Sequence, residues 1–129
     1  MKKNILFVCV ENSNRSQMAE AFAKIHGENI VNAFSAGSKP SGIINPKAIA
    51  TMNEIGYDLT VQHSKSLKSI PDLEYEYAIT MGCGDECPLV NAIHKDDWDI
   101  PDPKNMEPEA FSNIRNLIEQ KVKALLQQL

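Results

Sequence analysis

A cysteine and an arginine separated by five residues dominate this chain, in the segment Cys9-Val10-Glu11-Asn12-Ser13-Asn14-Arg15-Ser16. The apolar run Ile5-Leu6-Phe7-Val8 precedes them, and a helical pattern follows. A thiol at the end of a strand, a tight loop and an arginine opening a helix form a device for attacking a tetrahedral oxyanion. A helix N-terminus, successive backbone N–H groups and a neighbouring guanidinium all favour the thiolate, which is the nucleophilic form. The backbone of Val10, Glu11, Asn12, Ser13 and Asn14, folded into a nest, would hold the oxygens of a phosphate-like anion. Arg15 would grip two of those oxygens with its planar fork. Ser16 would donate a hydrogen bond to the Cys9 sulfur, and Asn12 would brace the loop through its side-chain amide. The plainer alternative makes Cys9 a core thiol and Arg15 a surface residue. The strand before, the helix after, and Asn12, Ser13 and Ser16 within the segment favour the oxyanion loop.

The rest of the chain has to position that loop. Ile5 to Val10 reads as a strand covered on both faces. Met18, Phe22 and Ile25 recur at helical spacing, and Gly27 ends that helix. A second strand is predicted from Ile30 to Ser35, with Gly37 and Pro40 punctuating the loop after it. Asn45 and Pro46 make a helix start, with Ile49, Met52 and Ile55 as its buried stripe and Gly56 as its stop. Ser64 to Ile70 suggests a short helix ended by Pro71. Tyr75 to Met81 reads as the third strand, Gly82 to Pro88 as a loop, and Lys95 to Trp98 as a short fourth strand. The last helix begins near Pro108 and would bury Phe111, Ile114, Ile118, Val122, Leu125 and Leu129. Trp98 is read as a wall of the core. Alternating strands and helices predict an α/β fold over residues 1–129, a single domain with a small parallel four-stranded sheet and helices on both faces. Ligands bind such sheets beyond the carboxyl ends of the strands. Cys9, the loop carrying Cys83 and the later Asp102 all fall at that edge.

Composition narrows the function classes. The chain has 129 residues and a net charge of −4, which argues against nucleic acid as a partner. No apolar run approaches the ~20 residues that span a bilayer, so no membrane partner is expected. The start Met1-Lys2-Lys3-Asn4 is followed by too short an apolar run for a signal peptide, and a cytoplasmic protein is expected. The cysteines number three, Cys9, Cys83 and Cys87. That odd, sparse count suits reactive thiols better than a disulfide scaffold.

The stretch from Phe7 to Glu20 resembles the signature of the low-molecular-weight protein tyrosine phosphatase superfamily, and within it the arsenate reductases. Further pieces match in order: Phe34-Ser-Ala-Gly37, Asn45-Pro-Lys-Ala-Ile49, Thr80-Met-Gly-Cys83, Cys87-Pro88 and Asp102-Pro103. The resemblance spans essentially the whole chain. It implies arsenate as substrate, with phosphate or sulfate as analogues, and a relay of thiols. Cys9 would attack arsenate with Asp102 as general acid. Cys83 would attack Cys9, Cys87 would resolve the resulting disulfide, and thioredoxin would reduce the Cys83–Cys87 pair. No cofactor and no metal is implied. Spare thiols, or a zinc site joining Cys83, Cys87 and His94, remain alternatives for the downstream cysteines. A small thiol such as mycothiol or glutathione is an alternative donor. A phosphatase is the alternative activity, weakened because Lys104-Asn105-Met106 after Pro103 offers no aromatic to stack on a phenyl ring.

The chain departs from the family pattern at three positions. Asn14 stands where a small residue or cysteine is usual, and its backbone can still serve the anion. Glu11 puts a carboxylate beside an anion cradle, so its side chain is expected to point outward. Some relatives bind potassium beside the loop through residues matching Asn12, Glu20 and Ser35 plus an aspartate, whose place Lys65 takes. The expectation is no potassium site, with the Lys65 ammonium near Glu20 or Asn12. His26, His63 and His94 are given no role.

Overall fold

The computed structural model describes residues 2–81 and 91–129. Cys83, Cys87 and the loop expected from Gly82 to Pro88 lie outside the described residues. Strand β1 runs Lys3–Cys9, helix α1 Arg15–His26, β2 Val31–Gly37, α2 Pro46–Asn53, β3 Tyr75–Thr80, β4 Ala92–Asp97 and α3 Pro108–Gln127. The strands form one parallel sheet in the order β2-β1-β3-β4. The structure therefore has the expected α/β class, a parallel four-stranded sheet flanked by helices, with α1, α2 and α3 all packed on the same face among the described residues.

The two faces of β1 divide the core. Ile5, Phe7 and Cys9 face a large cluster with Met18 and Phe22 of α1, Ala48 and Met52 of α2, and Phe111, Ile118 and Val122 of α3. Leu6 and Val8 face a smaller cluster with Ala36 and Tyr75, covered in part by Leu67 and Ile70. This double burial explains why β1 carries no alternating polar positions. Trp98 is buried in the larger cluster, its ring centroid 5.9 Å from that of Phe7.

Register sets which residues share an edge of the sheet. Cys9 pairs with Gly37, Val8 with Thr80, and Thr80 with Asp97. The pairing continues through Met81 N–H to the Val8 carbonyl and Trp98 N–H to the Thr80 carbonyl. The end of β1 and the segment after β4 thus share one edge.

Several expectations need correction. Ile25 shares the helical spacing of Met18 and Phe22 yet is 43% exposed. On α2 the buried residues are Ala48, Thr51 and Met52. Ile49 is only partly buried, and Ile55 is 44% exposed, because the helix ends at Asn53 and Ile55 falls in the following turn. The second strand is shifted to Val31–Gly37, leaving Ile30 outside it. The fourth strand starts earlier and ends at Asp97. Ser64 to Ile70 holds only a 3₁₀ turn at Leu67–Ser69. Ser66 instead bridges Gly37, and the backbone N–H of Lys65 is taken by Asn12 Oδ1 at 2.9 Å, so the first residues of this stretch serve as a prop. Leu129 lies past the end of α3 and is only partly buried.

Candidate active site

Residues 10–14 leave β1 and turn into α1, and the carbonyls of residues 10–13 are all taken by partners outside the turn. The Val10 carbonyl accepts from Lys39 N–H at 2.8 Å, Glu11 from Ser41 N–H at 3.1 Å, and Ser13 from Asn45 N–H at 3.1 Å. The Asn12 carbonyl accepts from the Gln17 amide at 3.1 Å. In a trans peptide the N–H opposes the preceding C=O. The N–H groups of Glu11, Asn12, Ser13 and Asn14 therefore face the other way, as an anion nest requires. α1 adds its N-terminal turn, with Asn14 as the cap residue.

Asn12 is the hub of the loop. It is fully buried with φ +50°, a left-handed conformation that asparagine tolerates better than most residues. Its Nδ2 donates to Ser16 Oγ at 2.8 Å and Ser35 Oγ at 3.0 Å. Its Oδ1 accepts from Gln17 Nε2 at 2.8 Å and from Lys65 N–H. Because Asn12 donates to Ser16, the hydroxyl proton of Ser16 is free to point at Cys9, whose Sγ lies 2.8 Å from Ser16 Oγ. The nucleophile candidate, Ser16 and Asn12 thus form one chain of polar contacts.

The opening is a cleft of about 360 Å³ lined by Cys9, Val10, Glu11, Ser13, Asn14, Arg15 and Asp102. Arg15 is largely buried. Its Nη1 donates to the Ile100 carbonyl at 2.9 Å, and its Nη2 lies 3.9 Å from Asp102 Oδ2. Asp102 is half exposed and accepts the Lys104 N–H at 3.0 Å. Glu11 turns to the rim, where it pairs with Lys104 at 3.3 Å. Asn14 makes no side-chain cap bond, and its buried Oδ1 has no partner among the described residues.

Beneath the loop, Glu20 is almost fully buried yet carries three polar neighbours. It accepts from Ser35 Oγ at 2.5 Å, and pairs with Lys24 at 2.6 Å and Lys65 at 3.4 Å. Lys65 Nζ also donates to Ser35 Oγ at 3.3 Å and to the His63 carbonyl at 3.1 Å. The ammonium thus stands beside Glu20 and Ser35, two of the residues that the resemblance associates with a bound cation.

Gln17 and Gln62 were not singled out by the sequence. Gln17 donates to Asn12 and to the His63 carbonyl, and Gln62 Nε2 donates back to Gln17 Oε1 at 2.8 Å. The Tyr57 hydroxyl closes the chain on Gln62 Oε1 at 2.8 Å. A glutamine on the buried side of α1 is a signal a sequence reading could have used. Gln62 offered none, since its partner lies 45 residues away. His94 stacks on Tyr77 and lies 3.8 Å from Glu76. Among the described residues no cluster of histidine, cysteine, aspartate or glutamate is suited to hold a metal ion. No helix among them is long and apolar enough to cross a membrane.

Comparison with known proteins agrees with this geometry. Residues 4–129 match the model of the low molecular weight phosphotyrosine protein phosphatase family. A glutaredoxin arsenate reductase of Synechocystis sp. is 35% identical over 127 residues, covering 96% of each chain. A solved arsenate reductase in the phosphate binding state is 35% identical, covers 99% of this chain and 98% of its own, and superposes with a TM-score of 0.89. A thioredoxin-dependent arsenate reductase of Corynebacterium glutamicum is 29% identical with a TM-score of 0.79, over 98% of this chain and 61% of its own. The oxyanion loop, the Asp102 segment and these likenesses together place the chain in the low molecular weight phosphotyrosine protein phosphatase family, among its arsenate reductases.

Proposed function

We propose that this protein reduces arsenate to arsenite with Cys9 as nucleophile. The observation that carries the reading is the Cys9–Ser16–Asn12 chain at the floor of a cleft flanked by Arg15 and Asp102. The Cys9 thiolate attacks arsenic, a S–As bond forms, and the As–O bond to a hydroxyl group of arsenate breaks, the hydroxyl leaving as water with a proton from Asp102. Arg15 and the loop N–H groups stabilise the oxygens as charge develops on them. Cys83 then attacks the Cys9 sulfur. The S–As bond breaks, its electron pair stays on arsenic, and arsenite departs, leaving a Cys9–Cys83 disulfide. Cys87 attacks Cys83 and releases Cys9, and an external dithiol reduces the Cys83–Cys87 disulfide.

Thioredoxin is the proposed dithiol. Support comes from the Corynebacterium relative, whose name gives thioredoxin dependence, while the Synechocystis relative's name points to glutaredoxin. Arsenite formation by Cys9→Ser, Cys83→Ser and Cys87→Ser variants decides between donors. The relay predicts that all three variants stop turning over with thioredoxin. Turnover retained by all three rules the relay out. Activity kept by Cys87→Ser and dependent on added glutathione or mycothiol selects the small-thiol route. Hydrolysis of a phosphotyrosine ester without arsenate turnover selects the phosphatase.

Lys65 is proposed as the built-in cation that braces the loop through Glu20 and Ser35. Wild-type activity is then indifferent to potassium, and Lys65→Asp makes it potassium-dependent. A Lys65→Asp enzyme with no response to potassium refutes this assignment.

A further inference from the structure

The two ends of Lys104 are held by different parts of the site. Its backbone N–H donates to Asp102 Oδ1 at 3.0 Å, and its ammonium lies 3.3 Å from Glu11 Oε2. The segment is also tied from behind, where Lys47 Nζ donates to the carbonyls of Met106 at 3.2 Å and Lys104 at 3.5 Å. Arg15 holds its start through the Ile100 carbonyl. The Lys104–Glu11 pair therefore spans from the Asp102 segment to the loop that carries Cys9.

Glu11 lines the cleft, and an uncompensated carboxylate there repels an incoming oxyanion. Lys104 supplies the compensating charge and, through its own backbone, fixes one oxygen of Asp102. We infer that Glu11 and Lys104 act as a charge latch, which positions Asp102 for proton donation and keeps the mouth of the anion site open to a dianion. Both side chains act by positioning, since the Glu11 carboxylate and the Lys104 ammonium hold each other at the rim rather than the reacting atoms. The inference rests on the reading of Asp102 as general acid given above.

The latch separates two kinetic effects. Removing the Glu11 charge frees Lys104, so Asp102 loses its tether, but it also lifts the repulsion on the anion. Glu11→Gln thus lowers kcat and lowers KM together. Lys104→Gln lowers kcat and raises KM, because Glu11 is left uncompensated. A half-exposed ion pair carries effects of about three- to fivefold. Those effects shrink in about 0.5 M salt.

The test measures kcat and KM for arsenite formation, and the Kd of inorganic phosphate by calorimetry, for Glu11→Gln, Lys104→Gln, the double variant and Lys104→Arg. The latch predicts a double variant no slower than Lys104→Gln alone and phosphate binding restored relative to that single variant. It also predicts kcat largely kept in Lys104→Arg. An unchanged kcat in Glu11→Gln, or a double variant whose loss is the product of the single losses, overturns it. Asp102→Asn tells the two readings apart. A slow Asp102→Asn enzyme with independent Glu11 and Lys104 effects removes the latch alone. A fully active Asp102→Asn enzyme removes the general acid and the latch with it.

Discussion

Asn12 shows how much one side chain carries in this loop. It holds a left-handed backbone while exchanging hydrogen bonds with Ser16, Ser35, Gln17 and the Lys65 backbone. Asn12→Ala leaves those buried partners unsatisfied and puts alanine at a positive φ. A loss of about 2–4 kcal/mol in urea unfolding is expected, together with weaker phosphate binding. Ser16→Ala removes a single polar contact to Cys9. In a background lacking Cys83 and Cys87, alkylation of Cys9 by iodoacetamide is expected to slow about tenfold, the equivalent of one charge-assisted hydrogen bond. Asn14 is the counter-example. An N-cap asparagine replaced by alanine ordinarily costs about 1 kcal/mol. Here the cap bond is not made and Oδ1 is buried without a partner among the described residues. Asn14→Ala is therefore expected to leave the thermal midpoint unchanged or raise it, and a clear drop would show that the amide has a partner after all.

Gly37 decides the fit between elements. It ends β2 opposite Cys9, and a Cβ there would sit 2.5 Å from the Val10 carbonyl oxygen and 3.0 Å from Asn12 N. Both are backbone atoms of the oxyanion loop, so they cannot step aside as a flexible side chain would. Gly37→Ala is expected to cost about 1–3 kcal/mol and to abolish phosphate binding at moderate concentration, since the loop must move to admit the methyl group. Gly56 provides the control. Its φ is +84° and a Cβ there meets nothing within 4 Å, so Gly56→Ala should lower stability without changing phosphate affinity. The same pairing of a prop with the loop accounts for the missing helix after Ser64. The Ser64 hydroxyl donates to the Glu11 carbonyl and Lys65 N–H to Asn12, which holds the chain extended where local propensity would allow a turn of helix.

At the level of the whole molecule, anion binding and folding are coupled, because the nest exists only when three segments converge on it. Saturating phosphate at about 100 times its Kd is expected to stabilise the fold by about 2.7 kcal/mol, read as a rise in thermal midpoint. Arg15→Ala should remove most of that increment. A pH dependence follows from Tyr57. Burial, then the charges of Glu20 and Asp58, push its hydroxyl above the ordinary tyrosine range. The folded protein therefore holds this proton more tightly than the unfolded chain does, and unfolding releases it at high pH. Stability contributed by the neutral hydroxyl is present below about pH 10 and is lost as pH rises through the folded value. Tyr57→Phe should flatten that alkaline decline, and an unchanged slope would remove Tyr57 from the account.

Much of this molecule is legible along the chain because it depends on neighbours in sequence. The burial of β1 follows from a continuous apolar run, and the Cys9–Ser16 and Asn12–Ser16 contacts close within one turn from strand to helix. Asn45 and Pro46 announce α2 by local capping chemistry alone, and the Asn45 side chain accepts the Lys47 N–H as that chemistry requires. Where an element ends was less legible. Ile25 and Ile55 are apolar and correctly spaced, yet both are exposed, since a periodic pattern cannot say where the covering surface stops. The Gln62–Gln17 link, the Lys65 ammonium beside Glu20 and the Lys104–Glu11 pair join residues 45 to 93 positions apart. Sequence determined the Cys9–Arg15 loop and the parallel sheet that presents it, because hydrophobic period and short-range hydrogen bonding are local. Only the tertiary structure decided which charges meet around that loop, because side chains distant in sequence meet only once the sheet has set its register.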